Sequence, residues 1–92
     1  VIVGFRHKGL KLFYETGSHK GVIAAQKSKL LNILAALDAA SCAEELRLPS
    51  FRLHLLKGDL AGHWSIWVNG NWRVTFRFDD SDIELVDYRD YH

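Results

Sequence analysis

Cysteine and proline each occur once in this 92-residue chain, as Cys42 and Pro49, and glycine occurs seven times. A single cysteine excludes an internal disulfide and any multi-cysteine zinc site. So little proline, with no low-complexity run, argues against a disordered chain. No apolar stretch approaches the roughly 20 residues of a membrane-spanning helix. The opening Val1-Ile2-Val3-Gly4-Phe5-Arg6 is too short for the apolar core of a signal peptide and is broken by charge. No internal repeat is present. The length suits one domain, residues 1–92, burying roughly two-thirds of its unfolded surface. These features predict a soluble intracellular domain, with the cytoplasm as its location.

Net charge is only +1, but its distribution is polar. Residues 1–30 carry Arg6, Lys8, Lys11, Lys20, Lys27 and Lys29 against Glu15, a net of +5. Residues 79–92 carry Asp79, Asp80, Asp82, Glu84, Asp87 and Asp90 against Arg89, a net of −5. The near-cancellation conceals a cationic front that suits a polyanion. On charge alone, a solvated helix face is the plainer reading.

Hydrophobic period divides the chain at Pro49. Before it, Ile2-Val3-Gly4-Phe5 reads as a first strand, and Leu10, Phe13 and Tyr14 recur at helical spacing up to a stop at Gly17. A longer helix is predicted over Val22–Ala40, with Ile23, Leu30, Ile33, Leu34 and Leu37 in one stripe. Ser41-Cys42-Ala43-Glu44 has the form of a capping box for a short third helix, in which Cys42 is a small buried hydrophobe. After Pro49 the period becomes two. Arg52-Leu53-His54-Leu55, Trp64–Val68, Trp72–Phe78 and Ile83–Tyr88 alternate as strands between polar turns. An antiparallel meander after helices makes the class α+β, a small sheet with N-terminal helices packed on one face.

The pleat predicts a register. A three-residue loop through Asn71 pairs Val68 with Trp72, Ile66 with Val74 and Trp64 with Phe76. The last hairpin pairs Phe78 with Ile83 and Phe76 with Leu85, which sets Arg73 opposite Tyr88. The helix-free face then carries Val86 and Tyr88 beside Trp67 and Arg73, with His54 and Arg52 joining it if Leu53 and Leu55 join the core, Asp90 and His92 continuing on Arg73's side and Tyr91 between them. Leu53 and Leu55 are assigned to the core, as are Trp64 and Trp72.

Two histidines, a carboxylate, an arginine and aromatics suit metal-independent phosphodiester transfer. One group must take the 2′-OH proton, another must protonate the leaving 5′ oxygen, and a cation must hold the charge that builds on phosphorus. Imidazole serves either proton-transfer role near neutral pH. Arg73 and Lys57 supply cations, and Tyr91 or Trp67 can stack on a base. Each residue also has a plain reading. His54 is an ordinary strand residue, Arg77 an ion-pair partner of Glu84, and Asp90-Tyr91-His92 a frayed end. His7, His19 and His63 read as surface residues. Gly58–Gly62 lacks the Gly-Lys-Ser/Thr of a phosphate loop, and Asp80-x-Asp82-x-Glu84 lacks the glycine and distal glutamate of a calcium loop.

Several stretches together resemble the RelE/HigB group of toxins from type II toxin–antitoxin systems. They are Phe5-Arg6-His7-Lys8-Gly9-Leu10, Leu37-Asp38-Ala39-Ala40, Leu53-His54-x-Leu56-Lys57-Gly58-Asp59, Ala61-Gly62-x-Trp64-Ser65-Ile66-x-Val68-Asn69, Trp72-Arg73-x-x-Phe76 and Asp90-Tyr91-His92. The resemblance implies a RelE-like, microbial-RNase-like fold and a ribosome-dependent mRNA endonuclease (mRNA interferase) that cuts in the ribosomal A site and stops translation. It implies His54 and His92 as the acid/base pair, Asp90 in support, Tyr91 orienting substrate, and Lys57 and Arg73 on phosphate. Arg6, Lys8 and Lys11 would face ribosomal RNA. Implied partners are a HigA-type helix-turn-helix antitoxin, the 70S ribosome with its 30S A site, and mRNA; no metal or cofactor is implied. Trp67 departs from the pattern, since relatives commonly carry a polar or basic residue there. A second reading is a catalytically weak member acting mainly as corepressor of its antitoxin. A third, an aromatic-rich ligand-binding domain, needs no His92.

Overall fold

Helix α1 spans Lys8–Thr16 in the computed structural model, which describes residues 1–91. Both of its ends are closed locally. His7 is the N-cap, its Nδ1 accepting from the Leu10 N–H at 2.9 Å, and Gly17 closes the other end at φ 79° with its N–H on the Phe13 carbonyl. His7 is therefore a half-buried cap rather than a surface residue, its ring edge-on to Tyr88 with the centroids 5.3 Å apart.

Helix α2 spans Lys27–Ala39 and is shorter than its hydrophobic pattern suggests. Leu30, Ile33, Leu34 and Leu37 are buried as a stripe, but Ile23 is 38% exposed. The Ile23 N–H donates to the Tyr88 hydroxyl, which in turn donates to the buried Gln26 side chain, so residues 23–26 are held to the sheet as a tight turn. At the far end of α2, Asp38 joins three elements. Its carboxylate accepts from the Ile2 N–H at 3.0 Å and from the Tyr14 hydroxyl at 2.5 Å. The third helix reduces to a 3₁₀ turn, Ala43–Leu46. Ser41 donates from both its N–H and its hydroxyl to Glu45, while Glu44 pairs with Arg47, so the capping box does not form. Cys42 stands outside the turn in extended backbone and is exposed, not buried.

Four strands, β1 (His54–Leu55), β2 (Trp64–Asn69), β3 (Trp72–Asp79) and β4 (Asp82–Asp90), form an antiparallel sheet in sequence order. Ile2 and Phe5 add isolated parallel bridges to Ile83 and Val86 along the outer side of β4. The helices and Phe51 close over one face, burying Ile66, Val74, Phe76, Ile83 and Val86 with the α2 stripe. Trp64 and Trp72 pack half-buried against this core and Leu53 joins them, whereas Leu55 is 48% exposed on a two-residue edge strand. No helix among the described residues is long and apolar enough to cross a membrane.

Two bulges change the expected register. Trp64↔Phe76 and Ile66↔Val74 pair as the alternation predicts, but Val68 is extra and Asn69 pairs with Trp72. The loop is therefore Gly70-Asn71, with Gly70 rather than Asn71 taking the positive φ of 56°. In the last hairpin Phe78↔Ile83 and Arg77↔Glu84 hold, after which Leu85 is inserted at φ 56°. From there the ladder runs Thr75↔Asp87, Val74↔Tyr88, Arg73↔Arg89 and Trp72↔Asp90. One extra residue exchanges the faces of everything after it. Val86 and Tyr88, assigned to the open face by pattern, are buried in the core, with Tyr88 stacked 4.5 Å from Trp72. Asp87, Arg89 and Tyr91 take the face that carries Arg73.

Candidate active site

A pocket of about 420 Å³ opens on the helix-free face, lined by Arg52, His54, Leu56, Ser65, Trp67, Arg73 and Tyr91. Its floor follows from the ladder. His54 in β1 pairs with Ser65 in β2, and Ser65 pairs with Thr75 in β3, so one row crosses three strands. Ser65 and Thr75 are small and buried, which lets larger neighbours rise around them. The next row sets Trp67 beside Arg73.

The wall formed by Trp67 and Arg73 is tied to a single carbonyl. Gly70 O accepts from the Trp67 indole at 2.9 Å and from Arg73 Nη1 at 3.2 Å, and that same nitrogen reaches the Trp72 carbonyl at 3.1 Å. Arg89 lies directly opposite Arg73, a like-charge pair that would be unfavourable on its own. Asp87 binds Arg89 at 2.9 Å and pushes its guanidinium pKa further up. That neutralises Arg89, so Arg73 is the member of this pair that offers a cation to the pocket. Tyr91 is carried in by the chain end, its N–H donating to the Asn71 carbonyl at 2.8 Å.

The sequence-derived candidates divide accordingly. His54, Arg73 and Tyr91 come together in the pocket. Asp90 does not line it. The Leu85 bulge sets Asp90 opposite Trp72, on the other side of the ladder from Arg73 and Tyr91. Lys57 is exposed at the start of the Gly58–Leu60 turn and is likewise outside the lining. Arg6, Lys8 and Lys11 are exposed around the start of α1, where Phe5 and Arg6 adjoin Val86 of β4, the sheet edge opposite β1. His92 lies outside the described residues. Arg77 and Glu84 form the expected ion pair.

Arg52, set on the open face beside His54 by alternation but given no role there, also lines the pocket. Its guanidinium carbon is 4.1 Å from the Trp67 ring centroid. The available signal was its place two residues before His54, together with an aromatic on the same predicted face. His63, expected on the surface, is buried just before β2, with neither ring nitrogen bonded to a described residue. No group of His, Cys, Asp and Glu among the described residues is arranged to hold a metal. Two guanidiniums and an imidazole line the pocket, and no carboxylate is among the described lining residues. Such a lining suits an anionic ligand, and the imidazole can move protons beside it.

Comparison with known proteins agrees over nearly the whole chain. Residues 3–92 match the family described as the RelE-like toxin of the type II toxin–antitoxin system HigB. The Endoribonuclease HigB of Proteus vulgaris is 45% identical over 92 residues, covering all of both chains. Toxin HigB-1 of Vibrio cholerae is 36% identical over 90 residues, covering 96% of this chain and 94% of that one. Among solved structures, a YoeB/ParE toxin from Agrobacterium tumefaciens superposes at a TM-score of 0.65 with 16% identity over the full length of both chains. A YoeB toxin in the YoeB–YefM complex of Staphylococcus aureus superposes at 0.63 with 19% identity, covering all of this chain and 98% of that one. At such identities the structural likeness carries the RelE-like fold, and the two HigB sequences carry the relationship.

Proposed function

The chain belongs to the HigB family of RelE-like toxins of type II toxin–antitoxin systems, and from that premise we propose how its pocket acts on RNA. It is an endoribonuclease toxin, as 45% identity to the Proteus vulgaris enzyme over the whole chain supports. Its substrate is mRNA held in the A site of the 70S ribosome, and its neutralising partner is an antitoxin of the HigA helix-turn-helix type. The observation that carries this reading is the pocket itself, in which His54, Arg73 and Tyr91 surround a space without a lining carboxylate among the described residues.

In this mechanism the 2′-oxygen attacks the adjacent phosphorus as its proton leaves to a base. The bond from phosphorus to the 5′-oxygen breaks, and an acid protonates that oxygen. The products are a 2′,3′-cyclic phosphate and a 5′-hydroxyl, and no metal is required. His54 is one of the two proton-transfer groups. His92 is the other by resemblance, and Asp90 supports it. Arg73, whose Nη1 is anchored to two backbone carbonyls, presents the rest of its fork to the charge developing on phosphorus. Tyr91 orients the nucleotide. Lys57 contacts phosphate from outside the lining, and Arg6, Lys8 and Lys11 meet ribosomal RNA, where loss of salt-dependent contacts weakens binding. The site of action is the cytoplasm.

Induction of the chain in cells without an antitoxin tests the reading. Growth arrest is expected, and His54→Ala or His92→Ala is expected to abolish it while antitoxin binding is retained. Arrest that survives both substitutions would overturn the catalytic roles. Tight antitoxin binding without any arrest by the unaltered chain would instead favour a corepressor.

A further inference from the structure

Arg52 occupies a backbone state that its side chain disfavours. It sits at φ 47°, ψ 49°, the left-handed region, directly after the Pro49–Phe51 turn. For a residue with a long side chain that conformation is strained. It persists where the surroundings hold the residue in place, and such residues cluster at working sites. Here the surroundings are aromatic. The guanidinium lies 4.1 Å from the centroid of Trp67, whose indole is pinned by its bond to Gly70 O. Lys29 approaches the same ring at 5.3 Å while donating to the Ser50 carbonyl at 2.7 Å, fixing the segment that leads into Arg52.

A guanidinium held against a ring keeps its in-plane N–H donors available, and that planar fork matches a phosphate. Arg52 uses none of those donors on a described residue: it has no carboxylate partner and no side-chain hydrogen bond among them, and it is exposed at the pocket mouth. Arg73, the cross-strand partner of Trp67, is bound to the same Gly70 carbonyl. The two cations thus line one pocket beside a pinned indole.

We propose that Arg52 is a second phosphate ligand of this site, positioned by Trp67, and that it grips a backbone phosphate of the mRNA next to the one that is cleaved. The proposal rests on the RNA-cleaving reading above. It gives Trp67, the residue that departs from the family pattern, a positioning role through Arg52.

Neutral methylphosphonate linkages, placed singly at successive positions around the cleaved bond, test this in single-turnover cleavage of mRNA on programmed ribosomes. With the unaltered chain, one flanking neutral linkage is expected to slow cleavage about tenfold, the effect of losing one charge-assisted contact. Arg52→Gln is expected to be about tenfold slower on natural mRNA and to lose nothing more from that linkage. Trp67→Ala should behave like Arg52→Gln, whereas Trp67→Phe, which keeps an aromatic face, should retain the sensitivity of the unaltered chain. Melting curves identify any variant that fails to fold; Arg52→Lys then decides, since partial recovery of the linkage effect supports a charge contact. Arg52→Gln cleaving at the unaltered rate, or multiplying with the neutral linkage at every position, would overturn the proposal. No cleavage of natural mRNA by the unaltered chain would overturn the endoribonuclease reading itself, and this proposal with it.

Discussion

Substituting alanine at Gly9 sets two effects of known size against each other. Gly9 lies in the first turn of α1, where alanine gains up to about 1 kcal/mol from helix propensity and a less flexible unfolded chain. Against that stands the crossing of α1 over the loop at Gly21. A β-carbon on Gly9 would lie 2.6 Å from the Gly21 carbonyl oxygen and 2.7 Å from its α-carbon. Ordinary contact begins at 3.4 Å, so two backbones must separate by about 0.8 Å. Neither neighbour is a flexible side chain that can swing away. Overpacking costs about 1–3 kcal/mol, and backbone atoms at 2.6, 2.7 and 2.9 Å put this case in the upper part of that range, so the clash wins. The expected net loss is about 1–2 kcal/mol, which lowers the melting temperature by about 4–16 °C for a domain of this size. Gly21→Ala meets the Gly9 α-carbon at 2.5 Å and should cost as much. Because both changes strain one contact, the double variant should lose less than the sum. Thermal and urea unfolding followed by circular dichroism read all three. A Gly9→Ala chain as stable as the parent, or more so, would refute the close crossing and the placement of Lys8 and Lys11 that depends on it.

Tyr88→Phe should cost about 1–3 kcal/mol in urea unfolding, because the buried Gln26 amide loses its hydroxyl partner; an unchanged midpoint would favour the register without the Leu85 bulge. The Tyr14 hydroxyl, bonded to Asp38, has its pKa raised from 10.0 to about 12, the Asp38 hydrogen bond being the largest cause. A raised pKa means that this stabilisation is complete below pH 10 and is lost as the pH climbs from about 10 through 12, since the unfolded tyrosine ionises first. The stability gap between the parent and Tyr14→Phe should therefore close over that range, and a gap that widens would contradict the sign. Cys42, being exposed, should react with a thiol reagent in the folded chain as fast as it does in denaturant, within a fewfold; strong protection would restore it to the core.

Much of this arrangement is legible in the sequence, for identifiable reasons. Gly17 at a helix end and the stripe from Leu30 to Leu37 follow from period and capping, which act locally. The pairs Trp64↔Phe76 and Ile66↔Val74 follow because a one-residue slip would expose every apolar side chain of β2. The Leu85 bulge is another matter. Nothing in Glu84-Leu85-Val86 marks a positive φ, and a leucine there is held by the tertiary fit of the final strand against β3. That one hidden insertion moved Tyr88 into the core and Asp90 away from Arg73, while bringing Tyr91 to the pocket. His54 and Arg73 precede the bulge and kept their expected face. Ile23 shows the same limit: helical spacing includes it in the stripe, but the Tyr88 hydroxyl, distant in sequence, holds it out of the helix. Alternation also sets Arg52 on the open face, but its left-handed backbone and its contact with Trp67 come from a turn and a neighbouring strand that alternation alone does not bring together.

Whether the chain cuts mRNA on the ribosome is read by mapping the 5′ ends of a defined mRNA after incubation with the purified chain in chelator, with and without programmed ribosomes. Cuts within the A-site codon that require ribosomes and leave 5′-hydroxyl ends are expected. They should vanish in His54→Ala while that variant melts as the parent does. Intact mRNA with a folded parent chain, or unchanged cutting by His54→Ala, would contradict the proposed mechanism.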